Sequence, residues 1–161
     1  MKRPPTFLRI GDGTLAKTRQ KLTDRLMKEL AGLEADVILT FGPDGFTGHA
    51  DHIAVGKATD DAAKKVSPSS AVYHAELGRQ LEGWAKAAGA VVTNGIKLPE
   101  NLVTVDVKQF QEQRLAALEC HKTQWTPEIR SKLRDFRRDF PFEEFVWAGG
   151  GRGAPDRWTG P

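Results

Sequence analysis

The chain predicts an α/β fold built on a parallel sheet, and three features of the sequence point there. Two apolar runs of strand length, at 7–10 and 36–41, each stop at a glycine-rich turn. Each is followed by a stretch whose apolar residues recur with helical spacing. The second run is nearly continuous, the pattern of a strand covered on both faces. Strand–turn–helix–strand–loop–helix is the order in which helices pack across a parallel sheet.

In chain order, Phe7-Leu8-Arg9-Ile10 reads as a short strand closed by the turn Gly11-Asp12-Gly13. Thr14 or a neighbour caps the helix that carries Leu15, Leu22, Leu26, Leu30 and Leu33 at close to 3.6-residue spacing, and Gly32 marks its end. Asp36 to Phe41 is the buried strand, and the loop Gly42 to Gly48 follows it. His49 to Lys65 reads as a helix with a small-residue packing face of Ile53, Ala54, Ala58 and Ala62. Ala71-Val72-Tyr73 and Leu102 to Val105 read as further strands, Glu76 to Ala88 as a helix, and Asn94-Gly95 as a turn. Val107 to His121 is an amphipathic helix carrying Phe110, Leu115 and Leu118. Pro127 suits the first turn of a last helix that runs to Phe140. Residues 1–148 are expected to form one domain and 149–161, rich in glycine, a flexible tail.

Composition narrows the function classes. At 161 residues there is room for one domain of ordinary size. Hydrophobic residues make up 39% and charged residues 28%, which is globular and not disordered. No window holds the roughly 18 apolar residues of a membrane span. The net charge of +3 comes from interspersed signs, which argues against a nucleic-acid footprint. One cysteine, Cys120, excludes an internal disulfide framework. The expectation is a soluble, cytoplasmic protein that binds no nucleic acid. The basic stretch 130–138 is broken by Asp135 and Asp139 and reads as a solvated helix face.

The chemistry concentrates in Gly48-His49-Ala50-Asp51-His52, at the carboxyl end of the strand 36–41, where open parallel sheets build ligand sites. Residues three apart at a helix start share a face, so His49 and His52 point into one cleft. Imidazole is the commonest zinc ligand, and Asp51 is placed to orient a ring. The spacing is equally that of two solvated helix-start histidines with Asp51 serving the helix dipole.

The wider context resembles one family. Pro43-Asp44-Gly45-Phe46-Thr47-Gly48-His49-Ala50-Asp51-His52-Ile53-Ala54-Val55 resembles the second motif of the LmbE/PIG-L family of metal-dependent N-deacetylases, Gly-x-x-Gly-His-Pro-Asp-His. Leu8 to Leu15 is similar to its strand ending in an Asp-Gly turn, and Val105-Asp106-Val107 to its later Val-Asp-Val strand exit. Ala116 to Gln124 is similar to its Ala-x-x-x-His-x-Ser-Gln helix end. The pieces stand in the family's order over about residues 7–125.

The resemblance implies a Rossmann-like three-layer parallel sheet and hydrolysis of an N-acetylglucosaminyl or related amide. It implies that His52 is a ligand of Zn2+ or another divalent metal, that His49 polarises the amide carbonyl, that Asp51 partners His49, and that Asp12 accepts hydrogen bonds from substrate hydroxyls. The family opens with His-Pro-Asp-Asp, which supplies two metal ligands and the general base; no such motif stands ahead of His49. The expectation is therefore a sheet lacking its first two strands and a C-terminal portion of a deacetylase, inactive alone. Its expected partners are an N-acetylated sugar or related amide and a complementary chain or homo-oligomer. The alternative is a non-catalytic carbohydrate- or partner-binding remnant of the fold.

Overall fold

The computed structural model describes residues 4–76, 80, 98–123 and 125–151. The chain divides into two compact units, Met1–Glu76 with Val146–Arg157, and Leu77–Phe145 with Trp158–Pro161.

The first unit holds α1 (Arg19–Ala31), β1 (Val37–Phe41), the short α2 (Gly45–Gly48), α3 (Ala50–Val66) and β2 (Ala71–Glu76). It also holds the end of a strand at Phe142–Gly149, called β4 because β3 precedes it in the second unit. The α/β character expected from the sequence is borne out. β1 and β2 pair in parallel, Val37 opposite Ala71 through Phe41 opposite Ala75, and the strand order in this unit is β1-β2-β4. The crossover that a parallel pair requires is α3.

The small residues of α3 let it lie close on the sheet. Ala54, Ala58, Ala62 and Ala63 are buried, and Ile38, Ala63 and Val72 form a core against which Leu30 and Ala35 pack. The closest approach is at Gly56, where a methyl group would collide with the Phe41 carbonyl and come within 3.2 Å of the Gly42 carbonyl. Only a residue without Cβ permits that contact.

Three expectations are corrected in this unit. Phe7–Ile10 is not a strand. Arg9 adopts φ +52, outside the extended region, and Phe7 is 72% exposed, so the run has neither strand geometry nor a covering layer. The first helix begins at Arg19 instead of near Thr14, because Thr14–Thr18 forms turns in which the Thr14 carbonyl accepts from the N–H groups of Lys17 and Thr18. The strand expected to be buried on both faces is covered on one. Ile38 meets the helices, while Leu39, pointing the other way, is 50% exposed.

The second unit holds β3 (Leu102–Asp106), a 3-10 turn (Lys108–Phe110), α4 (Gln111–Glu119), α5 (Pro127–Asp139) and the start of β4, which lies beside β3. Thr126 caps α5 by accepting from Ile129 N–H, and Pro127 occupies the first turn as expected. Glu128 follows in that turn. Its carboxyl is held below its ordinary pKa by its own backbone N–H and by Thr126. The helix expected over 107–121 is shorter and opens as a 3-10 turn, and no residue of α4 is fully buried. The strand β4 has no counterpart among the strands expected from sequence, because Phe142-Glu143-Glu144-Phe145 does not alternate cleanly. Of the helix expected over Glu76 to Ala88, Glu76 instead ends β2 and Gln80 is helical, while the rest of it and the turn at Asn94-Gly95 lie outside the described residues; the tail does so from Arg152 onward.

Arg114 organises this unit. Its guanidinium donates to Glu143 Oε1 at 2.8 Å, Gln111 Oε1 at 2.7 Å and the Phe140 carbonyl at 3.1 Å, and its side chain is 11% exposed. Arg137 donates to the same Glu143 oxygen at 2.6 Å. One planar cation thus ties α4 to the end of α5 and to β4.

Both the close helix–strand approach and the buried guanidinium are open to test by substitution. Gly56→Ala should cost about 1–3 kcal/mol by forcing α3 off β1, measured as a lowered urea midpoint. Arg114→Met should cost about 1–3 kcal/mol by leaving the Phe140 carbonyl and Gln111 short of a donor and Glu143 with Arg137 as its remaining cation. Arg114→Lys, which keeps the charge but not the fork, should recover only part of that.

Candidate active site

The loop after β1 is shaped by its own backbone. Gly45 N–H donates to the Gly42 carbonyl at 2.9 Å, Asp44 Oδ1 accepts from Phe46 N–H at 3.0 Å, and Gly48 N–H reaches the Asp44 carbonyl at 3.0 Å. Gly45 has φ +68, and a Cβ there would stand 2.8 Å from Ile53 Cγ1, so this turn is open to glycine alone. Phe46 also has positive φ, +66, a costly conformation for a side chain with Cβ. The loop delivers the chain to His49 at the amino end of α3.

His49 caps α3. Its Nδ1 accepts from Asp51 N–H at 3.2 Å. An accepting Nδ1 carries no proton, so the neutral ring holds its hydrogen on Nε2 and presents an N–H donor. His52 has the opposite arrangement. Its Nδ1 lies 3.0 Å from the Gly45 carbonyl, which can only accept, so Nδ1 carries the hydrogen and Nε2 the lone pair. The His52 ring stacks on Phe41, centroids 4.1 Å apart and 3° from parallel, and its centroid is 5.0 Å from that of His49. The two histidines do share one face, with complementary tautomers set by backbone groups.

Asp51 is 5% exposed and acts at longer range than its position between the histidines suggests. Its Oδ2 accepts from Gly13 N–H at 2.6 Å and its Oδ1 from Leu15 N–H at 3.1 Å. The carboxylate therefore holds the Gly11–Leu15 loop against the amino end of α3, and its link to His49 runs through its own backbone N–H. Asp12, exposed and next to Gly13, is carried to this end of the unit by that tie. All four residues singled out in the sequence thus lie around the amino end of α3.

A catalytic zinc takes three protein ligands and keeps one open position. Among the described residues no group of three His, Cys, Asp or Glu is placed to hold a metal ion. His52, with Nδ1–H on a backbone carbonyl and its lone pair on Nε2, has the second-sphere pattern of a ligating imidazole. His49 does not, because its Nδ1 is an acceptor, and both Asp51 oxygens receive backbone N–H groups. The described residues by themselves do not fit a three-donor centre.

Sequence spacing assigns no role to His74. The fold pairs it with Asp60: His74 Nε2–H donates to Asp60 Oδ1 at 2.9 Å and Oδ2 at 3.2 Å, joining β2 to α3. In the second unit, Arg130 and Arg134 meet Glu119, Arg137 meets Glu143, and Arg138 meets Asp135, so the basic stretch is largely paired. Cys120 is exposed, as is His121, whose ring lies 5.4 Å from that of Trp125.

The two histidines stand just beyond the carboxyl end of a parallel strand, the position at which open α/β sheets as a broad class build ligand sites. Comparison with known proteins narrows it. Residues 3–63 match the PIG-L family, described as GlcNAc-PI de-N-acetylase, which bears out the resemblance carried by the motifs. Three relatives carry the name 1D-myo-inositol 2-acetamido-2-deoxy-alpha-D-glucopyranoside deacetylase, one with the numeral 1 appended. That of Saccharopolyspora erythraea is 34% identical over 63% of this chain and 37% of its own length. That of Corynebacterium efficiens is 32% identical over 56% of this chain and 27% of its own. That of Mycolicibacterium vanbaalenii is 28% identical over 90% of this chain and 61% of its own. The chain thus spans between about a quarter and three-fifths of the length of these relatives. Among the described residues no helix is long and apolar enough to cross a membrane.

If Asp51 anchors the Gly11–Leu15 loop, Asp51→Ala should release the amides of Gly13 and Leu15. Hydrogen exchange at those two amides should rise at least about tenfold, equivalent to about 1.4 kcal/mol. Protection in the middle of α3 should persist. Unchanged exchange at Gly13 and Leu15 would remove that role.

Proposed function

We propose that this chain is part of an N-deacetylase that hydrolyses the amide of an N-acetylated amino sugar or a related small molecule. The observation that carries this reading is the His49–His52 pair with backbone-set, complementary tautomers, lying within the segment that matches the PIG-L family. In it, His49 Nε2–H donates to the amide carbonyl oxygen and strengthens that bond as negative charge develops there. A neutral N–H donor suffices for this and leaves the α3 cap intact. Asp51 holds the Asp12 loop, and Asp12 accepts from hydroxyls of the bound sugar.

Zinc or another divalent metal is the cofactor this reading calls for, supplying Lewis acidity at the carbonyl and an activated water. His52 is the one donor assigned here, and the remaining donors are assigned to groups outside the described residues, on a complementary chain or another copy. A second reading, a non-catalytic carbohydrate- or partner-binding protein, is favoured by the lack of a three-donor group among the described residues.

The test is metal content of the purified chain by elemental mass spectrometry, beside His52→Ala. The deacetylase reading expects about one zinc per chain or per oligomer, lost in the variant, with release of acetate from N-acetylglucosamine conjugates. It also expects His49→Ala to lower kcat about 100-fold or more with metal retained. No metal in either protein and no acetate release would leave the binding reading in place.

A further inference from the structure

Among the described strands β1 stands at an end of the sheet, paired with β2 on one side only. The Ala71 N–H donates to the Asp36 carbonyl at 2.9 Å, and the parallel ladder continues through Ile38 and Thr40. The N–H and C=O groups of Val37 and Leu39 therefore point away from β2, and no other segment among the described residues bonds to them. Folded chains ordinarily blunt such an edge with a charge, a proline, a bulge or a covering element. The strand Val37-Ile38-Leu39-Thr40-Phe41 carries no charge and no proline, keeps one unbroken register with β2, and leaves Leu39 50% exposed. Such an edge is a template for one more strand.

The two ends of β1 decide how that strand would lie. The His49–His52 pair stands just beyond the carboxyl end, and no group of three metal-ligating side chains forms there among the described residues. A strand laid parallel to β1 brings its own carboxyl end beside the pair, the end at which neighbouring parallel strands jointly build a site. An antiparallel strand brings its amino end instead. A second copy of this chain does not complete the site through this edge. Two-fold symmetry would run β1 antiparallel to its mate and set the two histidine pairs at opposite ends of the joined sheet, a strand length of about 16 Å apart.

We propose that the free edge of β1 takes up an extended, uncharged, β-branched segment of a second polypeptide, running parallel to β1 and ending beside the His49–His52 pair. The docking uses only the main chain of β1 and the exposed Leu39. Its direction rests on the deacetylase reading, in which the last side chains of the segment add donors that the described residues lack.

The experiment is an NMR titration of the 15N-labelled full chain, without metal or sugar. The probe is a short synthetic peptide of alternating valine and threonine, with a lysine at each end and a nitroxide at its carboxyl end. A Kd on the order of 1 mM is expected, because ordering a flexible segment offsets most of the gain. Shifts should centre on the amides of 37–41, and the nitroxide should broaden the amides of 48–53 and spare those of 35–37. Leu39→Pro removes an outward N–H where an edge strand tolerates proline and should weaken binding about tenfold or more. Leu39→Lys, which alters only an exposed side chain, should weaken it about fivefold. The same spectra report whether each variant is folded. Absence of saturable shifts, broadening at 35–37 instead, or indifference to both variants would overturn the proposal. So would shifts at 37–41 that grow with protein concentration alone, which would make a second copy the occupant. Absence of metal and of acetate release from the chain would count against the deacetylase reading alone, since the titration contains neither metal nor sugar.

Discussion

Helix α3 lies so close to β1 that Gly56 touches the carbonyls of Phe41 and Gly42. Most of the first unit depends on that contact. It fixes the height of α3 over the sheet, which the buried stripe of Ala54, Ala58 and Ala62 maintains along the helix. It sets the amino end of α3 beside the carboxyl end of β1, so the loop between them must turn back sharply. Gly45 makes the turn and its carbonyl accepts a hydrogen bond from His52 Nδ1–H, while Phe41 gives that ring a flat surface. A larger residue at 56 would therefore disturb the orientation of a ring four residues away as well as the packing.

The histidine pair shows how backbone groups decide side-chain chemistry. Identical residue types three apart become a donor and an acceptor because one Nδ1 meets an N–H and the other a carbonyl. The buried Asp51 carboxylate is saturated in the same way by Gly13 and Leu15. Its part at the site is to bring a distant loop into place. Polar groups here are satisfied largely by main chain, which holds them rigidly at little side-chain entropy.

Much of this was legible in the sequence, for definable reasons. The helix from His49, the strand ending at Phe41 and the capped helix from Pro127 rest on local signals: periodicity, a glycine loop, and a Thr-Pro start. The motif around His49, Asp51, His52 and Asp12 was readable because its spacing falls within one helical turn or one tight turn. Phe7–Ile10 misled because β-compatible side chains make a strand only where a neighbour pairs with them. β4 was missed because Glu143 and Glu144 interrupt its pattern; Glu143 instead meets Arg114 and Arg137, partners that the sequence does not place nearby.

The amino-acid sequence alone determined the α/β class, the grouping of His49, Asp51 and His52 at one strand–helix junction, and the deacetylase resemblance, all properties carried by residues near one another in the chain. Tertiary structure alone decided which nitrogen of each histidine holds its proton, that Asp51 reaches back 38 residues to Gly13, and that His74 meets Asp60 across the β2–α3 packing. These depend on hydrogen bonds between segments far apart in sequence, whose direction follows from backbone geometry at the point of contact. Residue spacing does not encode that geometry; the packing of α3 on the sheet creates it.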